Sequence, residues 1–177
     1  MRYAYPFLPV LLFCAACGRI GSMSSSDVAG SGATATVHDA AGRELGTLAI
    51  TETSSGLTSS GVLRGLPPGT HGIHIHAVGQ CAAPFTTAGG HWNPLTHQHG
   101  FDNPQGAHAG DMQNIVAGSD SAAAVNVTTR GGILRGTNGL LDADGAAIVV
   151  HAGTDDYKTD PAGNSGARIA CGVISAR

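Results

Sequence analysis

Lysine is almost missing. Lys158 stands alone among nine fixed cations in 177 residues, and no stretch of the chain clusters lysine or arginine. With a formal net charge of −3, no basic footprint is left for a phosphate backbone, which argues against nucleic acid as a partner. Aromatics are scarce as well, at 5% of residues, and no internal repeat is evident. Thiols are few: Cys14 and Cys17 lie near the N-terminus, and Cys81 and Cys171 stand far apart, so there is no thiolate cluster to hold a metal. What the chain has instead is glycine, 27 of them, between short runs rich in Val, Ile, Thr and Ala. That composition favours tight turns between strands over long helices. The length and an apolar content of 42% suit one domain with a proper core.

Short alternating runs follow one another at 33–37, 45–51, 58–66, 72–78, 122–129, 146–151 and 168–174. Between them Asp39-Ala40-Ala41-Gly42, Pro67-Pro68-Gly69 and Asp142-Ala143-Asp144-Gly145 supply Asp, Pro and Gly where φ must be fixed or positive. This spacing predicts an all-β sandwich or barrel. Two stretches break the pattern. Residues 80–110 carry Pro84, Pro94, Pro104 and four of the nine histidines, and 153–166 are similarly polar and irregular. A structureless loop of about 30 residues is uncommon in a compact domain unless function or a cross-link pins it. Both stretches are therefore expected to be functional loops, pinned by metal and by a disulfide.

Residues 1–16 carry a positive charge at Arg2, an apolar stretch over 3–13 and small residues beyond it, the layout of an export signal. Ala15-Ala16-Cys17-Gly18 resembles a bacterial lipobox, in which the signal is cut before the cysteine and that cysteine is lipidated; Cys14 departs from it, since leucine is usual there. Plain cleavage between Ala16 and Met23 stays open beside it. A lipid on Cys17 would need a tether, and residues 17–32, rich in Ser and Gly, have that composition. The expectation is an exported, periplasmic chain, membrane-attached only through a lipid anchor, with its folded domain over 33–177. Cys81 and Cys171 lie in that domain, where two thiols in an oxidising compartment should pair. The loop so closed spans about 90 residues, worth on the order of 4 kcal/mol in the chain-entropy account.

Histidine supplies the chemistry. Seven residues offer metal ligands: His74, His76, His91, His99, His108, Asp111 and His151, four of them within 91–111. Imidazoles with a single carboxylate suit borderline cations such as copper and zinc rather than calcium or magnesium. His74 and His76, two apart in an expected strand, point to one face while Ile73 and Ile75 point to the other. His151 ends the apolar run Ile148-Val149-Val150 where a strand gives way to a loop, a usual place for a site residue. His91, His99, His108 and Asp111 match a closed tetrahedral zinc site with no open position for substrate. If His91 used both nitrogens, six histidines and one aspartate would serve two metals; the spacing permits that bridge without requiring it.

In this order and spacing, His71-Gly72-Ile73-His74-Ile75-His76, Gly90-His91-Trp92-Asn93-Pro94, His99-Gly100, His108-Ala109-Gly110-Asp111 and Gly166-Ala167-Arg168-Ile169-Ala170-Cys171-Gly172-Val173-Ile174 resemble bacterial copper/zinc superoxide dismutases, over 33–177. The resemblance implies a Greek-key β-sandwich or flattened barrel of about eight antiparallel strands with two long functional loops. It implies copper on His74, His76, His91 and His151, and zinc on His91, His99, His108 and Asp111, one of each per subunit, with the His91 imidazolate bridging. Asp155 matches the carboxylate that hydrogen-bonds a copper ligand and a zinc ligand. Arg168 matches the arginine beside copper that receives superoxide, and Cys81 and Cys171 match the family disulfide. His71 falls at a structural hydrogen-bonding position and Trp92 at a packing position. His38 and His97 match no role, and His97 is expected to face solvent.

The activity implied is dismutation of superoxide to oxygen and hydrogen peroxide by copper cycling between two oxidation states, with Arg168 and His91 as catalytic residues and antioxidant defence of the cell envelope as the role. The second loop holds Lys158 alone where eukaryotic members are rich in lysine and glutamate. The family contains dimers and, among bacteria, monomers, so a homodimer stays open. Loss of Arg168 or of a copper ligand would favour a non-enzymatic copper-binding or copper-delivery protein on the same fold. An incomplete copper set would favour an adhesion or assembly module with a structural zinc. All of these residues are present.

Overall fold

Period-two alternation shapes the first strands. Along β1 (Gly32–Asp39) Ala33, Ala35 and Val37 are buried while Thr34 and Thr36 are partly exposed on the other face. β2 (Glu44–Thr53) and β3 (Gly56–Arg64) bury Leu48 and Ile50, and Leu57 and Leu63. The remaining strands are β4 (Gly69–His71), β5 (Ile73–His76), β6 (Ile115–Ala117), β7 (Ala122–Thr128), β8 (Ala147–His151) and β9 (Arg168–Ala176). This computed structural model describes Met1 and residues 32–177. The expected export segment 1–16, Cys17 and the tether as far as residue 31 lie outside the described residues. Among the described residues no helix is long and apolar enough to cross a membrane.

The strands form one antiparallel sheet in the order β4-β6-β7-β3-β2-β1-β9-β8-β5. β3 neighbours β7 rather than β4, and β9 neighbours β1, as Greek-key connections require. Among the described residues there are nine strands where about eight are expected. β4 and β6 have three residues each, too short to show alternation, and the expected strand over 72–78 begins only after Gly72 and ends at His76.

β4 and β5 stand at opposite ends of the sheet order yet are separated in sequence by Gly72 alone. The sheet thus nearly closes into a barrel through one residue. Gly72 N–H donates to Gly153 O, and His151 N–H donates to Gly72 O, both at 2.8 Å. A side chain at Gly72 would stand 2.9 Å from Ser165 Cβ and 3.3 Å from Asp155 Cβ, so the junction leaves no room for one. The other side of β5 is covered by loop backbone: Ile75 N–H donates to Gly110 O at 2.9 Å and Trp92 N–H to Ile75 O at 2.8 Å. His74 thereby faces Asp111, and His76 faces His91.

Inside the barrel Leu48, Ile50, Leu63, Ile73, Ile75, Ile148 and Ile174 belong to one continuous apolar cluster. β8 is buried along its whole length because both of its faces are covered. Ile148 and Val150 join the interior, while Ala147 and Val149 pack with Phe85, Ala88 and Cys171. Phe85 and Ala88 belong to the first long loop, which contains a 3₁₀ turn at Thr86–Ala88 and is stapled to β9 by the Cys81–Cys171 disulfide. The expected pairing of these thiols is present, and loop and strand meet where the metal residues gather.

Candidate metal centre

β5 sends Ile73 and Ile75 into the barrel and His74 and His76 to the opposite face, where the loops bury both rings. Each ring of this face is held through one nitrogen. His74 Nε2–H donates to Asp155 Oδ2 at 2.7 Å, His76 Nδ1–H to Gly89 O at 3.0 Å, His151 Nδ1–H to Gly166 O at 3.1 Å and His91 Nδ1–H to Asp111 Oδ1 at 2.9 Å. An oxygen acceptor keeps the proton on the nitrogen it faces and leaves a lone pair on the other. Those other nitrogens, His74 Nδ1, His76 Nε2, His91 Nε2 and His151 Nε2, are buried without any hydrogen-bond partner. Ligand atoms of the four residues lie within 4.8 Å of one another.

Facing lone pairs in a buried space are costly unless a cation satisfies them. Four imidazoles suit copper well, so the residues present fit that metal. Burial, with some help from neighbouring charges, disfavours their protonated forms: His76 is lowered to about 2, His74 to about 3 and His151 to about 4, and His91 is lowered too. The rings are therefore neutral and ready as ligands at neutral pH.

Through Nδ1, His91 also faces a second group. Its centre is Asp111, which is fully buried. Asp111 Oδ1 lies 2.9 Å from His91 Nδ1 and 3.0 Å from His99 Nδ1, while Oδ2 accepts the backbone N–H of Gly100 at 2.9 Å and of His108 at 3.0 Å. His108 Nδ1 stands 3.4 Å from Asp111 Oδ1 and 3.3 Å from His91 Nδ1. By reach, His74 rather than the expected His108 groups with His91, His99 and Asp111; but His74 Nε2 is engaged by Asp155, whereas His108 turns Nδ1 toward Asp111 and His91. Burial raises the Asp111 carboxyl, yet hydrogen bonds from His108, His91, His99 and Gly100 hold it well below the usual carboxylate range. Burial likewise opposes charge on His99, but Asp111 and Asp155 on its two nitrogens outweigh it and raise the ring to about 9. A proton between these carboxylates does what a divalent cation would do, and three imidazoles with one carboxylate suit zinc.

Asp155 joins the two groups, with Oδ2 on His74 Nε2 and Oδ1 3.0 Å from His99 Nε2. Burial raises its carboxyl, but hydrogen bonds from His74, His99 and the Tyr157 N–H hold it low. Arg168 arrives through a bulge. Val150 pairs with Ala170 and His151 with Arg168, so Ile169 is the extra residue. Strict alternation would send Arg168 the way of Ala170, into the barrel; the bulge turns it to the side of its partner His151. There Nη1 donates to Phe85 O and Nη2 to Gly89 O, both at 2.6 Å. Burial lowers Arg168, which nonetheless stays cationic. A cleft of about 280 Å³ is lined by His76, His91, His108, His151 and Arg168 together with Gly90, Pro161 and Ala162. Arg168 is the one fixed charge on that lining.

The remaining singled-out residues also find places. The ring nitrogens of His71 lie 2.8 Å from His151 O and from Pro67 O, which ties β4 to the end of β8. Trp92 packs in the barrel core, and His97 is exposed with Nδ1 3.0 Å from Ala107 O. His38 lies at the end of β1, away from these rings. Four contributors are not marked in the sequence. The carbonyls of Phe85 and Gly89 leave no mark on side-chain pattern, and Asn114 and Tyr157, which flank Asp155, carry no motif beyond nearness to Asp111 and Asp155.

Two buried ligand groups sharing one histidine, set on an antiparallel barrel beside a cationic cleft, define a two-metal protein with one accessible face. Comparison with known proteins narrows the class. Residues 44–174 match the family Copper/zinc superoxide dismutase (SODC). The chain is 44% identical over 147 residues to the Superoxide dismutase [Cu-Zn] of Caulobacter vibrioides, covering 80% of this chain and 84% of that one. The crystal structure of a SOD-like protein from Bacillus subtilis superposes with a TM-score of 0.75 at 39% identity, covering 79% of this chain and 96% of that one. For the Cu/Zn superoxide dismutase from Brucella abortus the TM-score is 0.67 at 30% identity, covering 81% and 99%. The chain belongs to the copper/zinc superoxide dismutase family. It is an enzyme that uses copper and zinc to dismutate superoxide to molecular oxygen and hydrogen peroxide.

Proposed function

We propose that His74, His76, His91 and His151 hold copper and that His91, His99, His108 and Asp111 hold zinc, one of each per chain, with His91 shared as the bridging imidazolate. The carrying observation is the set of four buried, partnerless ring nitrogens turned to one point. Copper, when bound, supplies one-electron exchange with superoxide, and zinc supplies fixed positive charge. Arg168, clamped by Phe85 O and Gly89 O, offers an incoming anion the one permanent cation of the cleft. His91, with Nε2 toward the first group and Nδ1 toward Asp111, is placed to hold a proton at Nε2 and yield it to the reduced anion. Asp155 fixes the orientation of His74 and His99. A clamped arginine over the ligands has no use in a copper-delivery protein, so that alternative is not favoured.

Superoxide decay catalysed by the metal-reconstituted protein, wild type against Arg168→Ala, tests this reading. The variant should keep both metals, lose about 10- to 100-fold in rate and slow less as salt rises. Loss of metal with an unchanged rate per copper would make Arg168 structural and overturn its assignment.

For cellular placement we read residues 1–16 as an export signal, Cys17 as lipidated and 17–32 as the tether of the domain 33–177, which puts antioxidant defence in the envelope. The Cys81–Cys171 disulfide supports an oxidising compartment, and a 36% identical relative from Brugia pahangi is named Extracellular superoxide dismutase. Mass spectrometry of the membrane fraction should find diacylglyceryl-Cys17 as the N-terminus; a soluble chain beginning elsewhere would remove the anchor. A homodimer stays open beside the monomer, and sedimentation of the purified protein decides between them.

A further inference from the structure

Four hydrogen bonds close a ring around the backbone of Asp155. Asn114 Nδ2–H donates to Asp155 O at 2.9 Å, and Asp155 N–H donates to Asn114 Oδ1 at 2.9 Å, so one amide side chain grips both backbone polar groups of that residue. Asn114 N–H in turn donates to the Tyr157 hydroxyl at 2.7 Å, and Tyr157 N–H donates to Asp155 Oδ1 at 2.7 Å. Tyr157 has a φ of 59°, a conformation that bulky side chains rarely adopt. Its surroundings hold it there. Asp102 N–H donates to Tyr157 O at 2.9 Å, Gly100 packs directly on that carbonyl with no room for a side chain, and the Phe101 ring lies 5.7 Å from the Tyr157 ring under the Arg130 guanidinium.

We propose that Tyr157 and Asn114 are positioning residues for the Asp155 carboxylate, fixing it between His74 Nε2 and His99 Nε2 and so setting ring orientation on both sides of His91. The inference rests on the ligand assignment above. The chain of contact is continuous: Phe101 and Asp102 of the first loop meet Tyr157 of the second, Tyr157 meets Asn114, and Asn114 grips Asp155. Removing the hydroxyl leaves the Asn114 N–H without an acceptor and frees the backbone that carries the carboxylate. The Asp155 oxygens then lose fixed direction, and the two imidazoles that donate to them turn with less restraint.

Cobalt(II) in place of zinc reads this directly, because its visible spectrum follows ligand geometry. In the full-length protein Tyr157→Phe keeps the ring against Phe101 and removes one oxygen. It should weaken cobalt retention against a chelator about tenfold, the low end for loss of an outer hydrogen-bond partner, and should shift the cobalt spectrum. Asn114→Ala should do the same, and the double variant should lose less than the product of the two effects because both act through one carboxylate. If Asn114→Ala does not fold, Tyr157→Phe alone decides. A lowered melting temperature with unchanged cobalt affinity and spectrum would make the ring of bonds merely structural and overturn the proposal, leaving the ligand assignment intact. A wild-type protein that takes up no cobalt would overturn both.

Discussion

The two ligand groups that meet at His91 are held by different means. His74 and His76 hang from β5 and His151 from β8, and backbone carbonyls of Gly89 and Gly166 aim two of the three rings. His99, His108 and Asp111 stand on loop backbone and aim one another. Closing the barrel therefore places His74, His76 and His151, whereas the loops must order to supply His91, the carbonyls of Gly89 and Gly166, and the whole of His99, His108 and Asp111. Local stability should differ accordingly, with the loop-borne group opening at lower free energy than the strand-borne one.

Asp111→Ala should break the comparison most severely. It removes the acceptor of two backbone N–H groups and the partner of three rings, a loss of about 3–5 kcal/mol by analogy with halving a buried ion pair. Zinc should leave first, seen by metal analysis during dialysis, and copper geometry should change only afterwards; copper leaving first would reverse the order of the two groups. Next comes the staple. Changing Cys81 and Cys171 together to serine opens a cross-link over 90 residues of sequence and should cost about 4 kcal/mol in denaturant unfolding. The same variant should loosen Arg168, whose two acceptors lie on the stapled loop.

A change confined to the barrel sharpens the contrast from the other side. Ser59 Oγ is buried without a partner, so Ser59→Ala should raise stability by about 1 kcal/mol and leave both metals and the superoxide rate untouched. The smallest effect belongs to Asp156 on the second loop. Hydrogen bonds from the Thr159 hydroxyl and from the N–H groups of Thr159 and Lys158 lower its carboxyl from 3.8 to about 2. The folded value lies below the unfolded one, so its contribution is complete above about pH 4 and is lost as pH falls toward 2. Asp156→Asn should melt slightly below wild type at pH 6, and the gap should close by pH 2 in a thermal series.

Legibility in the sequence followed the same division. His74 and His76 are readable because a strand's period of two puts them on one face, and Ile73 and Ile75 mark the other. The loop-borne ligands are readable as a crowd of imidazoles, but their sharing of His91 is a matter of ring orientation that spacing only permits. β4 and β6 are hidden by having three residues each. Arg168 would be misplaced by alternation alone, since Ile169 shifts the register. Tyr157 and Asn114 are invisible because their action on Asp155 runs through backbone groups, which every residue has.

The junction at Gly72 has one more consequence. Because β4 and β5 are consecutive, the sheet has a single seam, and the first loop lies along it, its backbone at Trp92 and Gly110 occupying the hydrogen-bonding groups of Ile75. The residues beside those contacts are His91 and Asp111, so the arm that carries these proposed ligands is also the cover over the β5 edge. Where that arm lifts, β5 becomes a template for a second chain. Ligands to a metal at His91 and Asp111 would thus also hold that cover over the β5 edge, so one loop serves both the site and the protection of the sheet.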